Sequence, residues 1–172
     1  MMARRYFVKP AFLGVFIITW LVFSWLPIEW GAITPKAYAA PTVIFLTSGS
    51  SWSVPSDWNP YNNSIEVVGG GGGGADGAAN QGGSGAGAGG GAYSKAVNVT
   101  MPASSSVTIK VGTAGTAGGG LGGDTFICNT NSGCTAINSS GVVAGAKGGT
   151  GGSAQTAGGG GQASSGVGTT KN

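Results

Sequence analysis

Hydrophobic and polar residues alternate in short stretches along the chain, and no stretch after residue 41 repeats with helical spacing. Apolar residues at every second position are typical of half-buried β-strands. The segments with strand character are residues 42–47, 51–54, 64–68, 93–100, 107–111, 125–127 and 142–144. We expect 93–100, with Val97 and Val99 on one face, to pair with 107–111 as one antiparallel hairpin. The pattern predicts an all-β protein.

The first 40 residues carry a different pattern. Positive charges at Arg4, Arg5 and Lys9 precede an apolar run over residues 11–26. Small residues then occupy positions 37, 39 and 40. This order predicts a secretory signal helix, cleaved after Ala39 or Ala40. An uncleaved anchor is the alternative, although the run is shorter than the roughly 18 residues expected of a membrane-spanning helix.

The export route stays open between two pathways. Arg4-Arg5-Tyr6-Phe7-Val8-Lys9 is similar to the twin-arginine pattern, while the strongly apolar run is more typical of the general secretory route. Either route predicts an exported protein, in the periplasm, outside the cell or on its surface.

Glycine dominates the remaining chain, with 37 glycines in 172 residues against a usual share of roughly 7%. Six glycines, Gly69 to Gly74, follow a predicted strand directly. Residues 112–118 repeat glycine every third position, and positions 145–166 repeat glycine or alanine with the same spacing. Three residues per turn is the period of the polyproline II helix. A flexible low-complexity segment is the alternative.

These patterns together predict a small antiparallel sandwich with glycine-rich loops or polyglycine-II-like helices, preceded by the signal helix. We divide the chain into a signal peptide (1–40), a β-rich glycine-rich domain (41–127) and a glycine-rich extension (128–172). The extension is interpreted as either truncated or flexible.

Charge sets limits on the partners. Charged residues make up 8% of the chain, against about 25% in ordinary domains. From residue 41 onward, four lysines balance four acidic residues. A neutral exported part gives no reason to expect nucleic acid as a partner, and contact with a membrane is expected through the signal segment alone.

Two cysteines, Cys128 and Cys134, flank a turn-rich loop. In an oxidising compartment this pair predicts a structural disulfide. Two free buried thiols are the alternative, and a metal site is disfavoured because structural zinc requires four ligands.

Two glycine motifs match the residue spacing of known ligand-binding patterns. Gly69-x-Gly71-x-x-Gly74 follows a strand, as in dinucleotide-binding loops, but neither a helix nor a suitably placed acidic residue follows it. Residues 119–127 fit one calcium-binding nonapeptide, with Asp124 as the acidic residue, yet that fold needs tandem copies. We interpret Asp124 as a cap for backbone N–H groups, and we predict no metal and no cofactor.

Groups for catalysis are sparse. The chain has no histidine, and its nearest carboxylates after residue 41, Asp57 and Glu66, are separated by a loop and a strand. No acid–base pair or activated nucleophile is recognisable, so we predict a protein that is not an enzyme. Trp58 and Tyr61 lie in a polar loop and are candidates for a surface-binding site. Alternatively, that loop folds back so that Trp58 covers the sandwich.

The order of these motifs resembles a known family. A Trp-x-Val-Pro segment (52–55) is followed by a strand that ends in polyglycine (65–74). Gly-Gly-Ala-Tyr (90–93), a valine-rich pair of segments and Gly-Gly-Asp-Thr (122–125) complete the order. It is similar to the glycine-rich domain of phage tail fibres and tail-tip adhesins, which is also found in bacterial surface proteins. The resemblance spans about residues 42–160 and implies stacked polyglycine helices with a role in binding the host surface.

A signal peptide is a departure from that family, because virion parts assemble in the cytoplasm. The sequence therefore favours a secreted or cell-surface structural or adhesive protein whose partner is envelope glycan or a surface protein. A phage-derived receptor-binding module is the alternative, and an ice-binding protein a remote one. The oligomeric state stays open.

Overall fold

The computed structural model describes residues 40–77 and 84–172. Ile44–Asn172 form one compact unit. The predicted signal helix, the twin-arginine pattern and Ala39 of the cleavage site lie outside the described residues, whereas Ala40 is exposed. Within the described ranges, no helix has the length and apolar character of a membrane span.

The described residues form seven strands in two antiparallel sheets, which confirms the all-β class. The strands are β1 (Ser51–Ser53), β2 (Ser64–Val68), β3 (Tyr93–Val97), β4 (Ser106–Lys110), β5 (Thr125–Cys128), β6 (Val142–Ala146) and β7 (Thr170–Lys171). One sheet has the order β1-β4-β5-β6 and the other the order β2-β3-β7. The chain from 128 onward supplies β6 to the first sheet and β7 to the second. It also forms one turn of 3-10 helix, Ala163–Ser165.

Alternation along the strands places apolar side chains in the core. In β4, Val107 and Ile109 are buried between more exposed neighbours. In β2, Val67 is buried while Glu66 is exposed. Both sheets contribute to one core cluster, which contains Val54, Val67, Ala92, Ala96, Val99, Met101, Val107, Ile109, Ile127, Ala144 and Ala146.

The predicted hairpin of 93–100 with 107–111 is wrong. β3 pairs with β2 and β7, whereas β4 pairs with β1 and β5, so the two segments belong to different sheets. The connection crosses between the sheets because its own side chains, Val99 and Met101, are buried in the core. Asn63 holds this crossing by accepting from the Val99 N–H at 2.9 Å and donating to the Val99 carbonyl at 3.0 Å.

The face predicted for β3 is also wrong. Val97 is exposed, and the inward positions are Ser94 and Ala96, because β3 ends before Val99. Ser94 is fully buried, and its hydroxyl donates to the carbonyl of Val167 at 2.5 Å. That bond fixes the final segment beside β3, where Thr170–Lys171 forms a strand that we did not predict.

Residues 42–47 form no strand, contrary to the prediction. Every residue from 40 to 50 is exposed. Pairing with β4 begins only at Ser50, whose carbonyl accepts from the Ile109 N–H at 3.1 Å. Gly49 precedes it with φ of 108°, in the left-handed region, and so directs the preceding chain away from the sheet. An apolar, β-branched segment is a strand only where a neighbouring edge pairs with it.

The predicted disulfide is present between Cys128 and Cys134. Both sulfur-bearing residues are buried in a second apolar cluster with Phe126, Ile137 and Val142. Cys128 ends β5, and the intervening loop leaves the sheet there, next to a register irregularity between Ile127 and Cys128. The bridge therefore ties the loop back onto the end of a buried strand.

Candidate functional site

The strands β2, β4 and β6 run directly into glycine-rich segments on the same side of the fold. The chain travels away from the sheets and then returns towards β3, β5 and the final strand. Within the described residues this produces six segments, extended except where their far ends turn, which we call the glycine stack. They are residues 69–76, 85–92, 112–118, 119–123, 147–152 and 157–161.

Backbone hydrogen bonds join the stack with a period of three. Between the first two segments, the N–H groups of Gly69, Gly72 and Ala75 donate to the carbonyls at 92, 89 and 86, each at 2.9 Å. Donors three residues apart mean that a single face of the segment points at this neighbour. The remaining positions are free to bond in other directions, unlike in a β-ladder, where the period is two.

The segment 69–76 is at the centre of the stack. Among the described residues it forms backbone hydrogen bonds to four other segments. Gly70 and Gly73 donate to the segment 119–123 at 2.8 Å, and their carbonyls accept from the segment 147–152. The carbonyls of Gly71 and Gly74 accept from the segment 112–118. The glycine tract therefore pairs most of its backbone groups with other backbone on several sides.

Close packing of these segments excludes side chains. A Cβ atom on Gly72 would overlap the carbonyl of Thr150, and one on Gly73 would overlap the carbonyl of Thr116. Gly69 and Gly70 are closed in the same sense, meaning that an added Cβ would overlap neighbouring backbone atoms. In contrast, a Cβ on Gly71 or Gly74 would make an ordinary contact, at 3.8 and 3.6 Å from the nearest carbonyl oxygen. Two of every three glycines in the tract are thus required for packing.

The same geometry explains the repeat in residues 112–118. Gly112 and Gly115 are closed, because an added Cβ would overlap the carbonyls of Gly123 and Gly120. The intervening threonines and alanines are exposed; they are Thr113, Ala114, Thr116 and Ala117. Glycine therefore recurs where the chain faces its neighbours, and side chains occupy the positions that face solvent.

The repeat over positions 145–166 is not one continuous helix. Gly148 and Gly151 face neighbouring backbone, as the period predicts. The chain then reverses at residues 153–156, where Ala154 has φ of 45°. After the reversal the closed positions are Gly158 and Gly161, whereas Gly160 has room for a Cβ. The turn therefore changes which positions face neighbouring backbone. The glycine and alanine residues before and after it do not lie on one face, although their spacing in the sequence stays at three.

An ion pair joins the stack to the sheets. Asp124, at the start of β5, accepts from Lys147 Nζ at 2.8 Å and from the Gly148 N–H at 3.0 Å. Burial by itself would raise the pKa of Asp124. The bonds from Lys147 and Gly148, with the charges of Lys147 and Lys110, outweigh burial and hold that pKa below its usual value. The carboxylate that matched the calcium motif is therefore engaged in bonding N–H groups.

A second carboxylate is paired on the exposed face of the other sheet. Glu66 lies across from Lys95 in the β2–β3 ladder, and Lys95 Nζ is 2.9 Å from Glu66 Oε1. The hydrogen bond from Lys95 lowers the pKa of Glu66. Within the described ranges, no group of three or more His, Cys, Asp or Glu residues is arranged to hold a metal ion.

Four of the six N–H groups of the Gly69–Gly74 tract form hydrogen bonds within the stack. Those of Gly69, Gly70, Gly72 and Gly73 all donate to backbone carbonyls. A phosphate-binding loop instead presents several free N–H groups to its ligand at the start of a helix. The arrangement of this tract is that of a structural element.

The two aromatic candidates occupy different environments. Trp58 packs against the core, 5.8 Å from Trp52 in an edge-to-face contact, and its indole N–H donates to the Val99 carbonyl at 3.0 Å. Tyr61 is 87% exposed. The structure therefore does not present the two rings together, and of this pair Tyr61 has its ring available to a ligand.

The chain reversals of the stack gather at its far end. The segments 69–76, 112–118 and 147–152 leave the sheets side by side, so their reversals lie together at the opposite end. Among the described residues these are Asp76–Gly77, residues 117–119 and residues 153–156, which we call the distal loops. Gly118 donates to the Gly74 carbonyl at 2.9 Å, and Ala86 donates to the Ala154 carbonyl at 3.0 Å. The distal loops are therefore linked through one hydrogen-bonded array.

Sequence reasoning did not identify the distal loops, because their position beside one another depends on how the strands are ordered in the two sheets. Only the order of elements indicates these loops. Three strands run into glycine-rich segments, so the chain must turn back towards the sheets three times. Asp76 and Gln155 are exposed polar side chains there.

Comparison with known proteins gives no independent assignment, since no family model matches the chain and no curated protein or solved structure was found to match it.

Proposed function

We propose that this protein is exported and acts as a structural or adhesive component of the cell surface, with the distal loops as its contact surface. The observation that carries the proposal is the glycine stack, whose far end brings Asp76–Gly77 next to the reversals at 117–119 and 153–156. A stack held by its backbone is a rigid support, and binding residues are commonly found on loops positioned by such a scaffold.

The proposal includes a description of the architecture. The two sheets form a small sandwich, since residues of both fill one core. The six segments of the stack are polyglycine-II-like helices, packed so that N–H···O bonds and Cα–H···O contacts cross between neighbours. The period of three in the hydrogen bonds and the closed Cβ positions support this description.

Export is supported by two features of the chain. The Cys128–Cys134 disulfide is typical of an oxidising compartment. The first 40 residues have the order of a secretory signal peptide, with cleavage after Ala39 or Ala40. Fractionation tests this part: the protein should move to the periplasm, medium or outer surface, and it should stay cytosolic when Arg4, Arg5 and the apolar run are disrupted. An unchanged cytosolic location in both cases contradicts export.

The chemistry of the distal loops fits a neutral, hydroxyl-rich ligand. Ser153, Gln155 and Thr156 are exposed and uncharged, and Asp76 supplies one carboxylate. Amide, hydroxyl and carboxylate groups are the donors and acceptors that hydrogen-bond sugar hydroxyls. Envelope glycan is therefore the favoured partner, and a surface protein is the alternative.

Binding of the labelled protein to whole cells tests the contact surface. We expect Gln155→Ala combined with Asp76→Ala to reduce binding at least about tenfold, which corresponds to about 1.4 kcal/mol. Ser64→Ala, an exposed position at the sheet end, is the matched control. Oxidation of cell-surface sugars with periodate should abolish binding, whereas protease treatment should not. Equal binding by the double variant and the control contradicts the assignment of the distal loops.

The order of motifs favours a second candidate, a phage-derived receptor-binding module. Its support is the resemblance over about residues 42–160. Immunodetection distinguishes the two: the first candidate places the protein in the envelope of uninfected cells, and the second places it in purified virions.

A further inference from the structure

The three strands that run into the glycine stack begin together at the other end of the fold. β2, β4 and β6 all run towards the stack, so the loops that precede them lie at the end opposite the distal loops. We call them the proximal loops; they are residues 55–63, 98–105 and 129–141, all of them described.

One aromatic ring is displayed by the proximal loops. Tyr61 is 87% exposed and lies in a β-turn, which the Asn62 N–H closes by donating to the Asn59 carbonyl at 3.2 Å. Pro60 fixes φ at the first central position of this turn. The Asn59 side chain also accepts from the Tyr61 N–H at 2.9 Å. The ring is therefore presented on a backbone that is already ordered, which lowers the entropy lost on binding.

Hydrogen bonds join this turn to the other two proximal loops. The Asn63 side chain donates to the carbonyls of Asn59 and Val99, and so connects the turn to the second loop. The third loop is closed by the disulfide. It is joined to β4 by the Thr108 N–H, which donates to the Thr130 carbonyl at 2.8 Å. The three loops form one preorganised surface.

The composition of this surface is neutral and polar. Asp57 is the one charged residue in the three loops. The other exposed polar side chains are amides and hydroxyls, and they include Asn62, Asn98, Thr100, Asn131 and Asn138. Tyrosine, serine and asparagine are also the residues that antibody binding loops use, because they combine a rigid ring with adaptable hydrogen bonding.

This composition distinguishes between three classes of partner. A nucleic acid needs lysine or arginine for its phosphates, and the proximal loops contain neither. A protein interface has several large apolar side chains at its centre, whereas Tyr61 is the one exposed large apolar residue of these loops. A neutral sugar fits both features, since its C–H groups pack on an aromatic face while its hydroxyls bond to amides.

We propose that the proximal loops bind a neutral polysaccharide of the cell envelope, with Tyr61 as the ring on which a sugar stacks and Asn62 as a hydrogen-bonding neighbour. The site is separate from the distal loops and does not require them. With a contact surface at each end, one molecule links two polysaccharide chains.

Binding of the purified exported protein to protein-free envelope polysaccharide, immobilised on beads, tests the site. We expect Tyr61→Ala to raise the Kd at least about tenfold. Tyr61→Phe keeps the ring and should stay within about threefold of the wild type. Leu121→Ala is the matched control, because it removes another exposed apolar side chain, 71% exposed, from the glycine stack. Its Kd should equal that of the wild type.

The outcomes separate this site from the distal loops. If the distal contact fails, the variant Gln155→Ala with Asp76→Ala binds the beads like the wild type, while Tyr61→Ala remains weakened. Equal binding by Tyr61→Ala and Leu121→Ala would overturn the proposal. Equal losses for Tyr61→Ala and Tyr61→Phe would show that the ring is not a stacking surface and would also overturn it. A wild-type protein that binds envelope protein but not the polysaccharide would overturn the choice of ligand.

Discussion

Asp124 directly precedes β5 and accepts hydrogen bonds from Lys147 and Gly148 of the segment 147–152, so its ionisation state affects both the sheet and the stack. Its folded pKa is lowered, with Lys147 and the Gly148 N–H as the stabilising partners. A lowered pKa contributes stability above the unfolded value of about 4, and that contribution is lost as the pH falls through the folded pKa.

We therefore expect the melting temperature of the wild-type protein to fall below about pH 4, partly through Asp124. Asp124→Asn retains the shape but removes the charge, and it should cost about 1 kcal/mol at neutral pH. The melting temperature of Asp124→Asn should therefore fall less on acidification than that of the wild type. Asp57→Asn is the control, because Asp57 is exposed and takes part in no ion pair among the described residues. Parallel pH profiles for wild type and Asp124→Asn would contradict this role.

Trp58 and Tyr61 should differ in their effect on stability. Trp58 is half-buried against the core and donates to the Val99 carbonyl, so we expect Trp58→Ala to cost about 2–3 kcal/mol. Tyr61 is exposed, and Tyr61→Ala should stay within about 0.5 kcal/mol. Urea denaturation measures both. A similar loss for the two variants would mean that the loop packs differently in solution.

At the scale of elements, the alternation of residues predicts the faces of β2 and β4 but not the neighbours of β3. The alternation reports burial, and Val107 and Ile109 are buried whichever strand lies beside them. The crossing between β3 and β4 depends on long-range bonds from Asn63 to Val99. The connection also contains Asn98 and Ser104, which have φ of 53° and 59°. Their residue types do not indicate that the chain crosses from one sheet to the other. A local pattern therefore predicted a hairpin where the tertiary contacts favour two sheets.

The glycine repeats were informative up to the points where the chain turns. The spacing at 112, 115 and 118 predicted a threefold segment, and Gly112 and Gly115 face backbone as that period requires. The spacing after residue 152 was misleading because the reversal at 153–156 changes the phase. The distal loops were missed for a related reason, since their position follows from the topology of the strands.

The disulfide is a second element-scale feature that can be tested. It closes a loop with a sequence separation of 6, for which the chain-entropy estimate is about 2 kcal/mol. We expect the urea midpoint of the wild-type protein to fall when dithiothreitol is added. The Cys128→Ala/Cys134→Ala variant is the control, because its midpoint should not respond to the reductant. A wild-type midpoint that is also unresponsive would indicate that the bridge adds no stability.

At the scale of the whole molecule, two kinds of packing hold the fold together. Side chains of both sheets fill an apolar core, while the stack is held largely by contacts between backbone atoms. Buried glycines at 69, 73, 89, 149 and 152 mark the interior of the stack. A chain with few large side chains can in this way satisfy its polar backbone groups and still form an ordered structure.

The most direct test of this account compares two neighbouring glycines of the central segment. Gly72→Ala places a methyl group against the Thr150 carbonyl, whereas Gly71→Ala places it 3.8 Å from the nearest atom, the Gly89 carbonyl oxygen. The two variants have the same composition and should restrict the unfolded chain equally. A difference in stability between them therefore reports packing within the stack.

The measurement is the melting temperature of the two variants and the wild type under one buffer condition. We predict that Gly71→Ala melts at or slightly above the wild-type temperature, because alanine lowers the entropy of the unfolded chain. Gly72→Ala should melt about 6–10 °C lower, for an overpacking cost of about 2 kcal/mol, and Gly72→Val lower still. Equal melting temperatures for Gly71→Ala and Gly72→Ala would contradict the packed stack.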